Sequence, residues 1–118
     1  MGHVEVEVVL RNLNEDRSLK ATALVDTGAT LTVLPEGLAK QLGLVKTGEK
    51  VKVSTAKGYE VLELAHVVLE VMGRKRIQPA LLSESLDRVL LGVTSLEAAQ
   101  LKVNPLTEKL EEYTALLY

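Results

Sequence analysis

Ala23-Leu24-Val25-Asp26-Thr27-Gly28-Ala29-Thr30 is the stretch on which the reading of this chain turns. Three apolar residues lead into an aspartate, and the glycine two positions later allows a tight turn and a close backbone approach. That order presents a carboxylate at the end of a buried strand, on the floor of a cleft. The tripeptide alone decides little, since chance puts an Asp-Thr-Gly in roughly 2 of 100 chains of this length, so its surroundings must carry the argument. It occurs once in the 118 residues. Hydrolysis of an amide by carboxylates alone needs two of them sharing one proton, because two like charges in contact do not both ionise. A single copy therefore implies a symmetric pair of chains, each contributing one Asp26.

Working outward, the β-rich Leu31-Thr32-Val33-Leu34 follows, and Pro35 suits the first turn of a helix. Leu38 and Leu42 share one face of that helix, and Gly43 stands as its stop. Upstream, Val4, Val6 and Val8 alternate with Glu5 and Glu7, the period-two pattern of a half-exposed strand. Asn12 to Asp16 carries turn residues, and Leu19 to Val25 reads as the returning strand. Downstream, Thr47-Gly48 marks a loop, and Val51 and Val53 alternate with lysines. Ala56-Lys57-Gly58 is then a hairpin tip before the long run from Tyr59 to Met72. Gly73-Arg74-Lys75 turns the chain into a strand from Arg76 to Leu82, and Ser83 to Arg88 is a polar connection. Thr94 and Glu97 have the spacing of a capping box for a helix through Leu101, ended by Asn104-Pro105. Leu106 to Tyr113 reads as a last hairpin or strand; a helix from Glu108 to Leu117 is the alternative.

A second element lies far from the first: Val89-Leu90-Leu91-Gly92, then Thr94-Ser95-Leu96-Glu97. With both on one chain, the sequence resembles the retropepsin-like aspartic proteases, and among them the small stand-alone cellular members. That family pairs a hydrophobic-Asp-Thr/Ser-Gly-Ala/Ser motif with a late hydrophobic-hydrophobic-Gly motif before a short helix. The resemblance runs from residue 4 to residue 110. It implies an all-β, closed barrel with one or two short helices, homodimeric, and an endopeptidase whose water is activated between two Asp26 carboxylates.

The resemblance also distributes roles. Thr27 crosses the dimer axis and holds the partner's loop, while Gly28 lets the backbone approach the carboxylate and offers its amide. Ala29, which places no hydroxyl beside the carboxylate, and Thr30 begin the cleft wall. Residues Val53 to Leu62 take the place of the flap that closes over bound peptide, with Ala56, Lys57, Gly58 and Tyr59 as its substrate-binding residues, although Tyr59 reads more readily as a solvent-exposed strand tyrosine than as one leaning over the substrate. Leu90, Leu91 and Gly92 support the catalytic loop from behind. The Gly-rich tip of viral flaps is absent here, so the rival reading is a catalytically weak or silent peptide-binding and dimerisation module of the same fold. A processing domain acting only on itself or on one partner is a further rival; its self-processing form is disfavoured because no extra segment to cleave is apparent.

Composition limits the alternatives. The length fits one domain, 1–118. No Phe or Trp is present, so the core must be aliphatic. The formal charge of -2 and the lack of a basic block argue against nucleic acid and anionic membranes as partners. Without cysteine there is no disulfide, thiol nucleophile or zinc-thiolate site, and His3 and His66 are too few for a metal centre. No cofactor is expected. Neither a signal-peptide pattern nor a bilayer-length apolar run is visible, so the expected location is the cytoplasm and the expected partners are a second copy and a peptide or protein substrate.

Overall fold

Alternation in the first strand sets the barrel. In β1 (Glu5–Arg11) the glutamates face water while Val8 and Leu10 are fully buried, as expected for a strand with one core-facing side. The computed structural model describes residues 4–113. β1 pairs antiparallel with β2 (Ser18–Val25), Glu5 opposite Leu24 and Arg11 opposite Ser18. β2 runs parallel to the short β7 (Val89–Leu91), which lies antiparallel to β3 (Thr32–Pro35). β3 is parallel to β6 (Arg74–Ser83), and β6 is antiparallel to β5 (Gly58–Val71). The end of β5 returns to β1, Val71 opposite Val8, so β1-β2-β7-β3-β6-β5 closes a six-stranded barrel. Closure removes the unpaired edges those strands would otherwise expose.

β5 is longer than the barrel needs. Its first half pairs with β4 (Lys46–Thr55), and this hairpin extends beyond the barrel, with Ala56-Lys57 as its two-residue loop. The core is aliphatic: Leu10, Leu34, Leu69 and Leu91 are fully buried, joined by Val67 and Val89. Each such side chain contributes about 1.5–3 kcal/mol by leaving water. Helix α1 (Glu36–Leu42) buries Ala39 and Leu42 and ends at Gly43, which has φ 67 and donates its N–H to the Lys40 carbonyl. The glycine stop read from the sequence is in place, whereas Pro35 is extended and closes β3 rather than opening the helix.

Five other expectations change. Thr47-Gly48 is not a loop but an irregularity within β4, where the step from Lys46 to Lys50 is matched by only Ala65 to Glu63 on β5. The β5–β6 turn is Met72-Gly73, both at positive φ, with Arg74 already opposite Val71. Helix α2 (Val93–Ala98) stops well short of Leu101, and the Thr94–Glu97 capping box is not formed: Gly92 is the N-cap and has no side-chain cap. Gln100 at φ 58 takes the chain out of the helix and into β8 (Leu101–Asn104), which pairs with β9 (Lys109–Glu112). Asn104 therefore opens a hairpin, its side-chain oxygen accepting the N–H groups of Leu106 and Thr107. Lys109–Glu112 being a strand removes the alternative helix at its start, and residues 114–117 lie outside the described part. Among the described residues, no helix is long and apolar enough to cross a membrane, and no group of three potential metal-ligating side chains forms.

Candidate active site

Asp26 sits one residue past the end of β2. Its N–H donates to the Leu91 carbonyl at 3.0 Å, extending the β2–β7 pairing, and its own carbonyl accepts the N–H of Ala29 at 3.1 Å. The backbone thus reverses within three residues. Gly28 donates its N–H to Asp26 Oδ1 at 3.0 Å, which holds the carboxylate in one orientation. A Cβ at position 28 would stand 3.2 Å from that oxygen. Gly28 does not adopt a left-handed φ, so what favours glycine here is the close approach to the carboxylate, which a methyl group would push aside by a few tenths of an ångström, and not the turn.

The loop is fastened from behind by β7 and α2. Val93 donates its N–H to the Ala29 carbonyl at 2.9 Å, and the Thr30 carbonyl accepts both the N–H and the hydroxyl of Thr94, at 3.2 and 2.7 Å. Thr94 is therefore spent on the active-site loop, which explains its absence as a cap. Beneath these bonds lies a buried polar chain. The Gly92 N–H donates to Thr32 Oγ1 at 3.0 Å, Thr32 and Ser95 share a 2.7 Å hydroxyl contact, and Ser95 donates to Gln78 Oε1 at 3.4 Å. Only one direction of donation satisfies every group: Gly92 to Thr32, Thr32 to Ser95, Ser95 to Gln78. Thr32→Val keeps the shape but leaves the buried Gly92 N–H without its acceptor, a loss of about 1–3 kcal/mol. Urea unfolding of this variant beside Thr32→Ser measures it. Serine is expected to retain most of the stability, and equal losses in the two variants would show that the methyl group matters rather than the hydroxyl.

Asp26 opens onto a cleft of about 800 Å³ between its loop, the barrel wall and the β4–β5 hairpin. Gly28, Ala29 and Thr30 line it next to Asp26, and Ala56 and Lys57 line it at the hairpin tip. Three other sequence candidates fall elsewhere. Thr27 is exposed beside the cleft and does not line it. Gly58 closes the hairpin loop without reaching the cavity. Tyr59 is 73% exposed on the outer side of the hairpin, with Lys52 Nζ 4.2 Å above its ring, so it does not lean over the cleft. Strand alternation also divides the supporting trio: Leu91 is in the core and Gly92 is buried, but Leu90 faces the cleft. Leu90 is thus a wall residue, not a support beneath Asp26.

Much of the wall was not singled out from sequence. Leu31, Val33, Val51 and Val53 pack on buried Leu62 and Leu81, and all six line the cavity. The signal existed as the alternation Val51-Lys52-Val53, but alternation does not say which cavity a face closes. Glu60 was also missed. It lines the cleft from β5, directly across from Val53.

Comparison with known proteins agrees with this architecture. The family described as "gag-polyprotein putative aspartyl protease" matches residues 14–98, well over half of the chain. No curated protein matches. Among solved structures, the solution structure of simian foamy virus (mac) protease is 22% identical, covers 79% of this chain and 91% of its own, and superposes with a TM-score of 0.57. EIAV protease complexed with the inhibitor HBY-793 is 20% identical, with 82% and 88% covered and a TM-score of 0.63. At these identities the likeness is one of fold: an all-β, retropepsin-like closed barrel with two short helices.

Proposed function

We propose, since this chain belongs to the gag-polyprotein aspartyl protease family, that two copies assemble about a twofold axis and hydrolyse peptide bonds with a water held between their Asp26 carboxylates. The observation that carries this reading is the Asp26 carboxylate itself. It is half-exposed at the floor of a peptide-sized cleft, oriented by the Gly28 amide, and belongs to a motif present once per chain. One carboxylate takes a proton from the water while the other, protonated, donates to the scissile carbonyl. The neighbouring Thr27, exposed and not part of its own cleft's lining, is free to meet the partner's loop and hold the two carboxylates in register. An extended peptide would lie as an added strand between floor and hairpin, its side chains against the aliphatic wall.

A single chain supplies half of this machinery, so activity must depend on association. Specific activity against a mixed peptide library is expected to fall as the protein is diluted through its dimer dissociation constant, in step with the loss of the dimer by light scattering. Full activity from a demonstrated monomer would sink the two-carboxylate mechanism. A dimer that binds peptides but cleaves none would instead support the binding-module reading.

A further inference from the structure

Among the described residues, the Glu60 carboxylate on the cleft side of the β4–β5 hairpin has no charged partner. The register places Val51 opposite Leu62 and Val53 opposite Glu60 on the side that lines the cleft. In the intervening Lys52–Val61 and Ser54–Tyr59 pairs, Tyr59 and Val61 are exposed and line no part of the cavity; Lys52 and Ser54 do contribute to its lining, but the Lys52 ammonium lies 4.2 Å from the centre of the exposed Tyr59 ring. Among the described residues Glu60 forms no salt bridge and no side-chain hydrogen bond. A carboxylate beside an aliphatic surface matches one class of side chain: a long apolar stem with a cationic end, which buries its methylenes and keeps its head at the charge. Val53, directly across the hairpin, supplies the surface for the stem.

We infer that Glu60 makes this cleft selective for extended peptides carrying a lysine or arginine at the position that faces the flap. The inference rests on the peptidase reading above. Asp26 is the other acid lining the cavity; of the two lysines that also line it, Lys57 sits on the hairpin loop and Lys52 carries its ammonium over the Tyr59 ring, so neither is paired with Glu60. In an added-strand peptide, side chains alternate between floor and flap, so only one side chain in two is within reach of Glu60. With two copies about a twofold axis, each hairpin brings one Glu60, which gives one selected position on either side of the scissile bond.

The test uses matched peptides that differ at one position: Lys, Arg, norleucine or Glu. Norleucine keeps the stem and removes the charge. The ratio of kcat/KM for the basic peptide to that for norleucine is expected to be about fivefold in the wild type, the range of a solvent-exposed ion pair. It should fall to about one in Glu60→Gln and shift in favour of the Glu peptide in Glu60→Lys. Raising the salt concentration should shrink the wild-type ratio, which a purely steric preference would not do. The same ratios measured as peptide binding to Asp26→Asn, by fluorescence anisotropy, separate recognition from chemistry. If no peptide is cleaved yet basic peptides bind Asp26→Asn preferentially and lose that preference when Glu60→Gln is added, the selectivity stands and the peptidase reading falls. Cleavage with the same ratio in wild type, Glu60→Gln and Glu60→Lys overturns the selectivity and leaves the peptidase. Melting curves of the Gln variant confirm that a changed ratio comes from a folded protein.

Discussion

Asp26→Asn should lower peptide hydrolysis by at least about a thousandfold, since general acid–base catalysis by one group already contributes about 100- to 10,000-fold and, in the proposed two-chain site, this substitution removes both carboxylates. Asparagine is nearly isosteric, and its side-chain oxygen can still accept the Gly28 N–H now directed at Asp26 Oδ1. It cannot take a proton from water, however, and it cannot pass one to a carbonyl. The fold should survive, with stability within about 0.5 kcal/mol of the wild type, because the substitution is nearly isosteric, and the proposed pairing of subunits should be kept, since Asn adds no charge there. Circular dichroism, melting curves and light scattering on the same preparation separate lost chemistry from lost structure. Wild-type turnover in Asp26→Asn would place the chemistry elsewhere in the molecule.

Gly92→Ala should have the largest effect on stability of any glycine-to-alanine change among the described residues. A Cβ at this buried position would lie 2.4 Å from the Leu31 carbonyl carbon, 2.6 Å from its oxygen and 2.8 Å from the Thr32 nitrogen. All three are backbone atoms, so no side chain can rotate away, and either β7–α2 or β3 must move. Movement of either breaks the Gly92–Thr32 bond and the bonds that hold the Asp26 loop. The expected loss is more than about 3 kcal/mol, a large share of the roughly 5–15 kcal/mol that stabilises an ordinary domain. Gly37→Ala is the contrast: it lies in the first turn of α1 with nothing within 4 Å of its Cβ, and it should gain less than the roughly 1 kcal/mol that helix propensity gives in a helix interior. Urea midpoints of the two variants should therefore move in opposite directions. A native midpoint for Gly92→Ala would contradict the close crossing of β7–α2 over β3.

The residues that announce the site are local, and they were legible. A lone aspartate after three apolar residues, followed by a glycine and matched far downstream by Leu90-Leu91-Gly92, needs no three-dimensional information to be noticed. Period-two alternation in Val4 to Val8 and in Val51 to Val53 marked strands, and Gly43 marked a helix end, because each depends on the conformation of a few consecutive residues. Helix α2 was misread for the opposite reason. Thr94 and Glu97 have capping-box spacing, but the Thr94 hydroxyl is taken by Thr30, 64 residues earlier, and a local rule cannot foresee a competing partner so distant.

The same distinction separates what the sequence by itself determined from what only the tertiary structure decided. Alternation determined that Leu90 lies opposite Leu91 across a strand, that Glu60 shares a face with Leu62, and that Tyr59 shares one with Val61. Which face looks into the cleft was decided by pairings between distant segments: β7 inserted between β2 and β3, and β5 dividing one edge between β4 and β1. A one-residue slip in any of those registers would exchange the faces without changing the alternation. The cleft therefore belongs to the register of the closed barrel, while the carboxylate at its floor belongs to the sequence.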